Sequence, residues 1–161
     1  MSENAKKVEE KDLKKEAENF LQTLTLGETA TVVGLYGELG AGKTTFTKAL
    51  AQVLGVTQTV TSPTFVLEKI YKLSGQNTGQ NTGQKSNKNF RHLIHIDTYR
   101  LEGSHELKQL GWDTIVADPQ NLIIVEWAEK VEDLLPKDVK KIYFKVIGES
   151  SNNTARDISY I

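Results

Sequence analysis

The stretch "TVVGLYGELGAGKTTFTKALAQVL", residues 31 to 54, decides how the rest of the chain is read. With the two residues before it, its opening "TATVVGLYG" is rich in β-branched and apolar side chains, the composition of a buried strand. From Lys43 to Leu54, Phe46, Ala49, Leu50, Val53 and Leu54 form a helical stripe that Gly55 closes. Between strand and helix lies "GELGAGKT", Gly37 to Thr44, which satisfies G-x-x-x-x-G-K-[ST] in the setting that gives this pattern its meaning. Glycines allow a tight turn that aims several backbone N–H groups inward, and the helix start adds partial positive charge. Gly37, Glu38, Leu39, Gly40, Ala41, Gly42, Lys43, Thr44 and Thr45 are therefore expected to line a phosphate site. Lys43, read as standing at an exposed loop-to-helix junction, brings a full charge to the phosphates, and the Thr44 hydroxyl is expected on magnesium.

ATP or ADP with Mg2+ is the expected ligand. "NKNF", 87 to 90, lacks the acid of a guanine-reading N-K-x-D, and "DTYR", 97 to 100, lacks the glycine of D-x-x-G. These absences weigh against guanine without establishing adenine.

Two further apolar runs end in an acid: "LIHIDTYRL" reaches Asp97 and "NLIIVEWAEK" reaches Glu126. Ligands gather at the carboxyl ends of strands in nucleotide-binding sheets, so both acids are candidates for the site. Magnesium needs only one or two protein oxygens besides phosphate and water. One acid can serve the ion or its water while the other positions an attacking water. Strand periodicity alone leaves open which is which. "TSPTF", 61 to 65, offers Thr61, Ser62 and Thr64 as hydroxyls for the metal or the terminal phosphate, or is a proline turn into a strand. His95 shares a strand face with Asp97 and is read either as orienting that acid or as core packing. Trp127 is read as core, or as a stacking surface for a base or partner.

The chain's 161 residues fit one domain with a real core, residues 1–161. Twenty lysines and arginines against 21 acids give a net charge of −1, which excludes a general polyanion binder. Only Arg91, Arg100 and Arg156 are arginines. The absence of cysteine excludes disulfides and thiolate metal sites. No signal core or run of roughly 18 apolar residues occurs, so a cytoplasmic protein with no membrane association is expected. Helical spacing predicts an amphipathic helix near 9 to 25, with Val8 on its apolar side. Residues 64 to 73 and 90 to 97 read as strands of a hairpin, whose connection, 74 to 89, carries "GQNTGQNTGQ" and reads as a mobile polar tip. "SHELKQLGWDTIV" contains a short helix, and "KIYFKVIG" with "ARDISYI" reads as a closing hairpin. The order β, α, β, β, α, β, β makes this an α/β fold, a single P-loop nucleotide hydrolase domain with a mixed central sheet flanked by helices.

Four segments in order, "LYGELGAGKTT", "TSPTF", "HIDTYRL" and "VEW", closely resemble the bacterial tRNA threonylcarbamoyladenosine biosynthesis ATPase family, TsaE or YjeE. The resemblance spans roughly residues 30 to 130. It implies a small ATPase working with two sugar-kinase-like partner proteins that modify the adenosine beside the tRNA anticodon, with tRNA met through that complex. It further implies Glu126 as the second magnesium contact after Thr44, and Asp97 as the essential aspartate, on the metal's water shell or the attacking water. Two other readings stay open: a small-molecule P-loop kinase, whose lid would want several arginines where only Arg100 is well placed, and a nucleotide-sensing module with negligible hydrolysis.

Overall fold

A computed structural model of the chain describes residues 5–61, 67–73, 90–147 and 155–161. Its centre is the strand–loop–helix unit read above: β2 (Thr31–Tyr36) runs through the glycine-rich loop into α2 (Lys43–Val53). Around it lie β1 (Lys6–Val8), α1 (Leu13–Thr23), β3 (Glu68–Lys72), β4 (His92–Asp97), α3 (Ser104–Gln109), α4 (Trp112–Ala117), β5 (Asn121–Glu126), β6 (Lys140–Val146) and β7 (Arg156–Tyr160). The seven strands form one sheet in the order β1-β7-β6-β2-β5-β4-β3. β6, β2, β5 and β4 run parallel; β3 pairs antiparallel with β4, β7 with β6, and β1 with β7. This is the mixed α/β sheet that the sequence led us to expect.

Both faces of the central strands are covered, which is why β2, β4 and β5 read as continuous apolar runs and not as alternations. Val33, Leu35, Leu93, Leu122 and Ile124 pack against α1 and α2 through Phe20, Phe46 and Leu50. Val32, Ile94, Ile96, Ile123 and Val125 face the other layer, with Leu107, Trp112 and Val131. An aromatic cluster ties α1, α2, β6 and β7 together: Phe46 meets Phe20 and Phe144 edge-on at 6.0 and 5.5 Å, and Phe20 stacks on Tyr160 at 5.6 Å. Edge-on and offset rings match the aromatic quadrupole, so the cluster stabilises beyond its buried area.

Two local expectations are corrected and a third is sharpened. The N-terminal helix starts later than residue 9, at Leu13, after a 3-10 turn over Glu10–Asp12. Val8 is buried in β1, opposite Arg156, and not on a helix face. An isolated apolar residue five positions before Leu13 does not distinguish these two kinds of burial. "SHELKQLGWDTIV" forms two helices, because Gly111 adopts φ +87° between α3 and α4, a left-handed conformation that breaks the run. The strand expected over 64 to 73 holds at Glu68–Lys72. Its start, together with Ser62 and Thr64 and the insert 74 to 89, lies outside the described residues.

Candidate functional site

The glycine-rich loop between β2 and α2 turns through three glycines with positive φ. Gly37, Gly40 and Gly42 have φ of +136°, +77° and +103°. Gly37 additionally lies so close to β6 that a Cβ there would fall 2.4 Å from the carbonyl oxygen of Phe144. Glycine is therefore required there twice, for conformation and for space. Gly42 caps α2, and the free N–H groups of that helix's first turn open into the loop. Ala41 is buried beneath the loop, whereas Leu39 is exposed at its tip.

Lys43 is not at an exposed junction. It is only 4 % exposed, and its Nζ donates to the carbonyls of Gly37 and Glu38, the latter at 2.9 Å. The ammonium also lies 3.9 Å from the centre of the Trp127 ring, a cation–π contact. Burial pulls its pKa below the ordinary lysine value, opposed by the nearby charges of Glu126, Glu129 and Asp97. Its charge thus closes the loop from within.

The sheet order explains how the two acids are placed. β5 lies between β2 and β4, so Glu126 ends the strand next to the glycine-rich loop and Asp97 ends the one beyond it. In register they are opposite each other, Asp97↔Glu126. Thr44 Oγ1 donates to Glu126 Oε2 at 2.9 Å. Glu126 Oε1 takes a second bond from His95 Nε2 at 2.7 Å. Asp97 Oδ1 accepts the backbone N–H of Tyr99 at 3.0 Å. Both acids are buried, at 2 % and 4 % exposure. His95 therefore bonds to Glu126, and the expectation that it orients Asp97 is corrected. The register shows why: Glu126 lies diagonally across from His95 on the same sheet face.

Beyond Glu126 the chain turns sharply. Trp127 adopts φ +57°, ψ +43°, a left-handed conformation rare for a bulky side chain. Thr98 anchors this turn, with its hydroxyl 2.9 and 2.7 Å from the carbonyls of Glu126 and Trp127. The turned indole then lies beneath Lys43 and beside Tyr99, 5.0 Å between ring centres. Strain held by such anchors at a strand end is common at functional sites. Thr45 is half-buried on α2, and Thr61 is exposed and takes a hydrogen bond from Lys69 Nζ.

One residue near the loop went unnoticed in the sequence. Arg156 on β7 places its guanidinium against Gly42, so that a Cβ there would meet Nη1 at 2.1 Å, and it pairs with Glu10 at 3.8 Å. Arg156 thus packs against the loop, which the reading of Arg100 as the one well-placed arginine did not foresee. Nothing local marks Arg156; it reaches the loop only because β7 pairs back along β6.

With this geometry in view, comparison with known proteins is specific. The family model for Threonylcarbamoyl adenosine biosynthesis protein TsaE matches residues 8–158. The chain belongs to the TsaE family. It is similar to the tRNA threonylcarbamoyladenosine biosynthesis protein TsaE of Streptomyces coelicolor, with 37 % identity over 75 % of this chain and 73 % of that one. The Bacillus subtilis protein of the same name is also 37 % identical, over 79 % and 69 %. The crystal structure of Bacillus subtilis YdiB superposes with a TM-score of 0.65 at 29 % identity, covering 99 % of this chain and 87 % of that one. Membership of the TsaE family places the chain in tRNA threonylcarbamoyladenosine biosynthesis. Among the described residues no helix is long and apolar enough to cross a membrane.

Proposed function

We propose that the chain is a magnesium-dependent P-loop ATPase whose nucleotide cycle serves partner proteins that build threonylcarbamoyladenosine in tRNA. The observation that carries this reading is the meeting of Thr44, Glu126 and buried Lys43 at the N-terminus of α2. The loop's N–H groups and the helix start would receive ATP phosphates, with Lys43 as their counter-charge.

Thr44 Oγ1 and Glu126 Oε2 would hold Mg2+. They are 2.9 Å apart, close enough for one small ion to take an oxygen from each. Among the described residues no three acids or histidines come together as a full cage, which suits an ion that keeps phosphate and water as its other ligands. Bound there, the ion would neutralise charge building on the phosphates during transfer. Asp97, across from Glu126, is one strand farther from Thr44. Its carboxylate would take the metal's water shell or hold the attacking water in line. Thr61 and its neighbours remain candidates for a hydroxyl on the metal or terminal phosphate.

Among the described residues, the cations placed at the loop are Lys43 and Arg156, and both are already engaged with protein groups. Arg156 is engaged with Glu10 and with the loop backbone side, and Arg91 and Arg100 are the remaining arginines. Slow hydrolysis in isolation follows, with acceleration by the two sugar-kinase-like partners that the resemblance implies. A net charge of −1 favours contact with tRNA through those partners and not directly, in the cytoplasm where tRNA is modified.

The test is to incubate the chain with Mg-ATP, alone and with its partner proteins, and follow inorganic phosphate. We expect slow release alone and faster release with partners. A requirement for an added small acceptor would make it a kinase, and nucleotide-dependent partner binding with no phosphate released under any condition would make it a sensor. Either result overturns the ATPase reading.

A further inference from the structure

His95 is the one polar side chain set in the middle of β4, between Ile94 and Ile96, and it is fully buried. A leucine or isoleucine would suit that position by packing alone. The ring is instead held with one nitrogen satisfied and one not: Nε2 bonds to Glu126, and Nδ1 has no hydrogen-bond partner among the described residues. A carboxylate can only accept, so the proton of this bond sits on Nε2, and Nδ1 stays buried without a partner among the described residues. Burying an unpaired polar atom opposes folding. Its bond to Glu126 is what this imidazole contributes in return.

We propose that His95 is a positioning residue: it fixes Glu126 Oε1 so that Oε2 is presented to Thr44 and to the metal site beside the phosphate loop. This rests on the magnesium-nucleotide reading above and extends it to a residue behind the site. A glutamate has three rotatable side-chain bonds, and two anchors are needed to fix both the position and the tilt of its carboxylate. Thr44 supplies one at 2.9 Å, but that hydroxyl is itself a proposed metal contact and cannot also be the fixed support. His95 supplies the other at 2.7 Å, within the short range of bonds to charged acceptors, from a ring that packing immobilises. Without it, Glu126 would be drawn to Lys43, whose ammonium already feels its charge. That ion pair would take the Glu126 carboxylate away from the metal, while Lys43 stays held by the carbonyls of Gly37 and Glu38. The pattern is that of an outer partner that orients a metal-binding carboxylate.

The experiment measures ADP affinity by calorimetry across a magnesium series for the parent, His95→Leu, His95→Met and His95→Gln, with thermal unfolding of each. The apolar variants should fold. They should need about 10- to 100-fold more magnesium for the same gain in ADP affinity, with affinity in the absence of metal nearly unchanged. His95→Gln, whose amide can donate to Glu126, should recover most of that shift. Apolar variants with the parent's magnesium midpoint would overturn the inference, as would His95→Gln behaving like His95→Leu. If both apolar variants fail to fold, nitrogen NMR of the parent decides: the Nε2 proton should stay bonded in the MgADP complex, and its release there would overturn the role. A parent whose ADP affinity ignores magnesium would overturn the nucleotide reading, and this inference with it.

Discussion

Replacing Gly37 by alanine separates the two demands the fold makes at the start of the glycine-rich loop. A φ of +136° lies in territory almost reserved for glycine, and holding another residue there costs about 1–3 kcal/mol. The new Cβ would also stand 2.4 Å from the Phe144 carbonyl oxygen and 3.3 Å from its carbon and Cβ. Neither side can easily yield. Tyr36, just before Gly37, is in register with Tyr143, just before Phe144, so separating them breaks the β2–β6 ladder. Forced overpacking of this kind adds about 1–3 kcal/mol, for a total of about 2–6 kcal/mol. In a chain of this size that lowers the melting temperature by roughly 5–20 °C. Gly40→Ala is the control, since φ there is +77° but nothing lies within 4 Å of the added atom. It should lose only about 1 kcal/mol, the left-handed penalty less the entropy that alanine removes from the unfolded chain. Urea unfolding of both variants gives the comparison. Equal losses within about 0.5 kcal/mol would refute the steric half of the reasoning.

Thr44→Val, nearly isosteric, should lose about 1–3 kcal/mol of stability, because buried Glu126 Oε2 loses its hydroxyl donor. Thr44→Ser should keep it, and denaturant unfolding that ranks the two alike would count against the bond. Tyr160→Phe should lose about 1–2 kcal/mol. Its phenol donates to buried Glu16 at 2.8 Å, and burial, then Glu16 beside it, pushes its pKa up. Lys6 still pairs with Glu16 at 2.5 Å, so Tyr160→Phe with Lys6→Met should lose clearly more than either change alone. Simple absence of any effect in the double variant would show that Glu16 does not need them.

How much of this was legible beforehand depends on how local each feature is. The course of the glycine-rich loop was fully readable, since strand, glycines and helix follow one another in 24 residues of sequence. Glu126 and Asp97 were readable as strand ends, but their ranking was not. It is set by β5 lying between β2 and β4, a strand order that no residue pattern announces. The His95–Glu126 bond depends on the same register. Val8 and Arg156 were misread or missed for a related reason, as both take their places from pairing between the two ends of the chain. Lys43 looked exposed because sequence gives the loop's course but not the depth at which Trp127 turns beneath it.

The central claim is that Glu126 serves the metal and Asp97 the water. The most direct measurement titrates magnesium at fixed ADP against the parent, Glu126→Gln and Asp97→Asn. A neutral amide is a poor ligand for a hard cation, so Glu126→Gln should lose most of the magnesium-dependent gain in ADP affinity. Asp97→Asn should keep its MgADP affinity and lose hydrolysis, because its contact acts chiefly in the transition state. A shifted magnesium midpoint in Asp97→Asn alone, with Glu126→Gln titrating like the parent, would contradict the account.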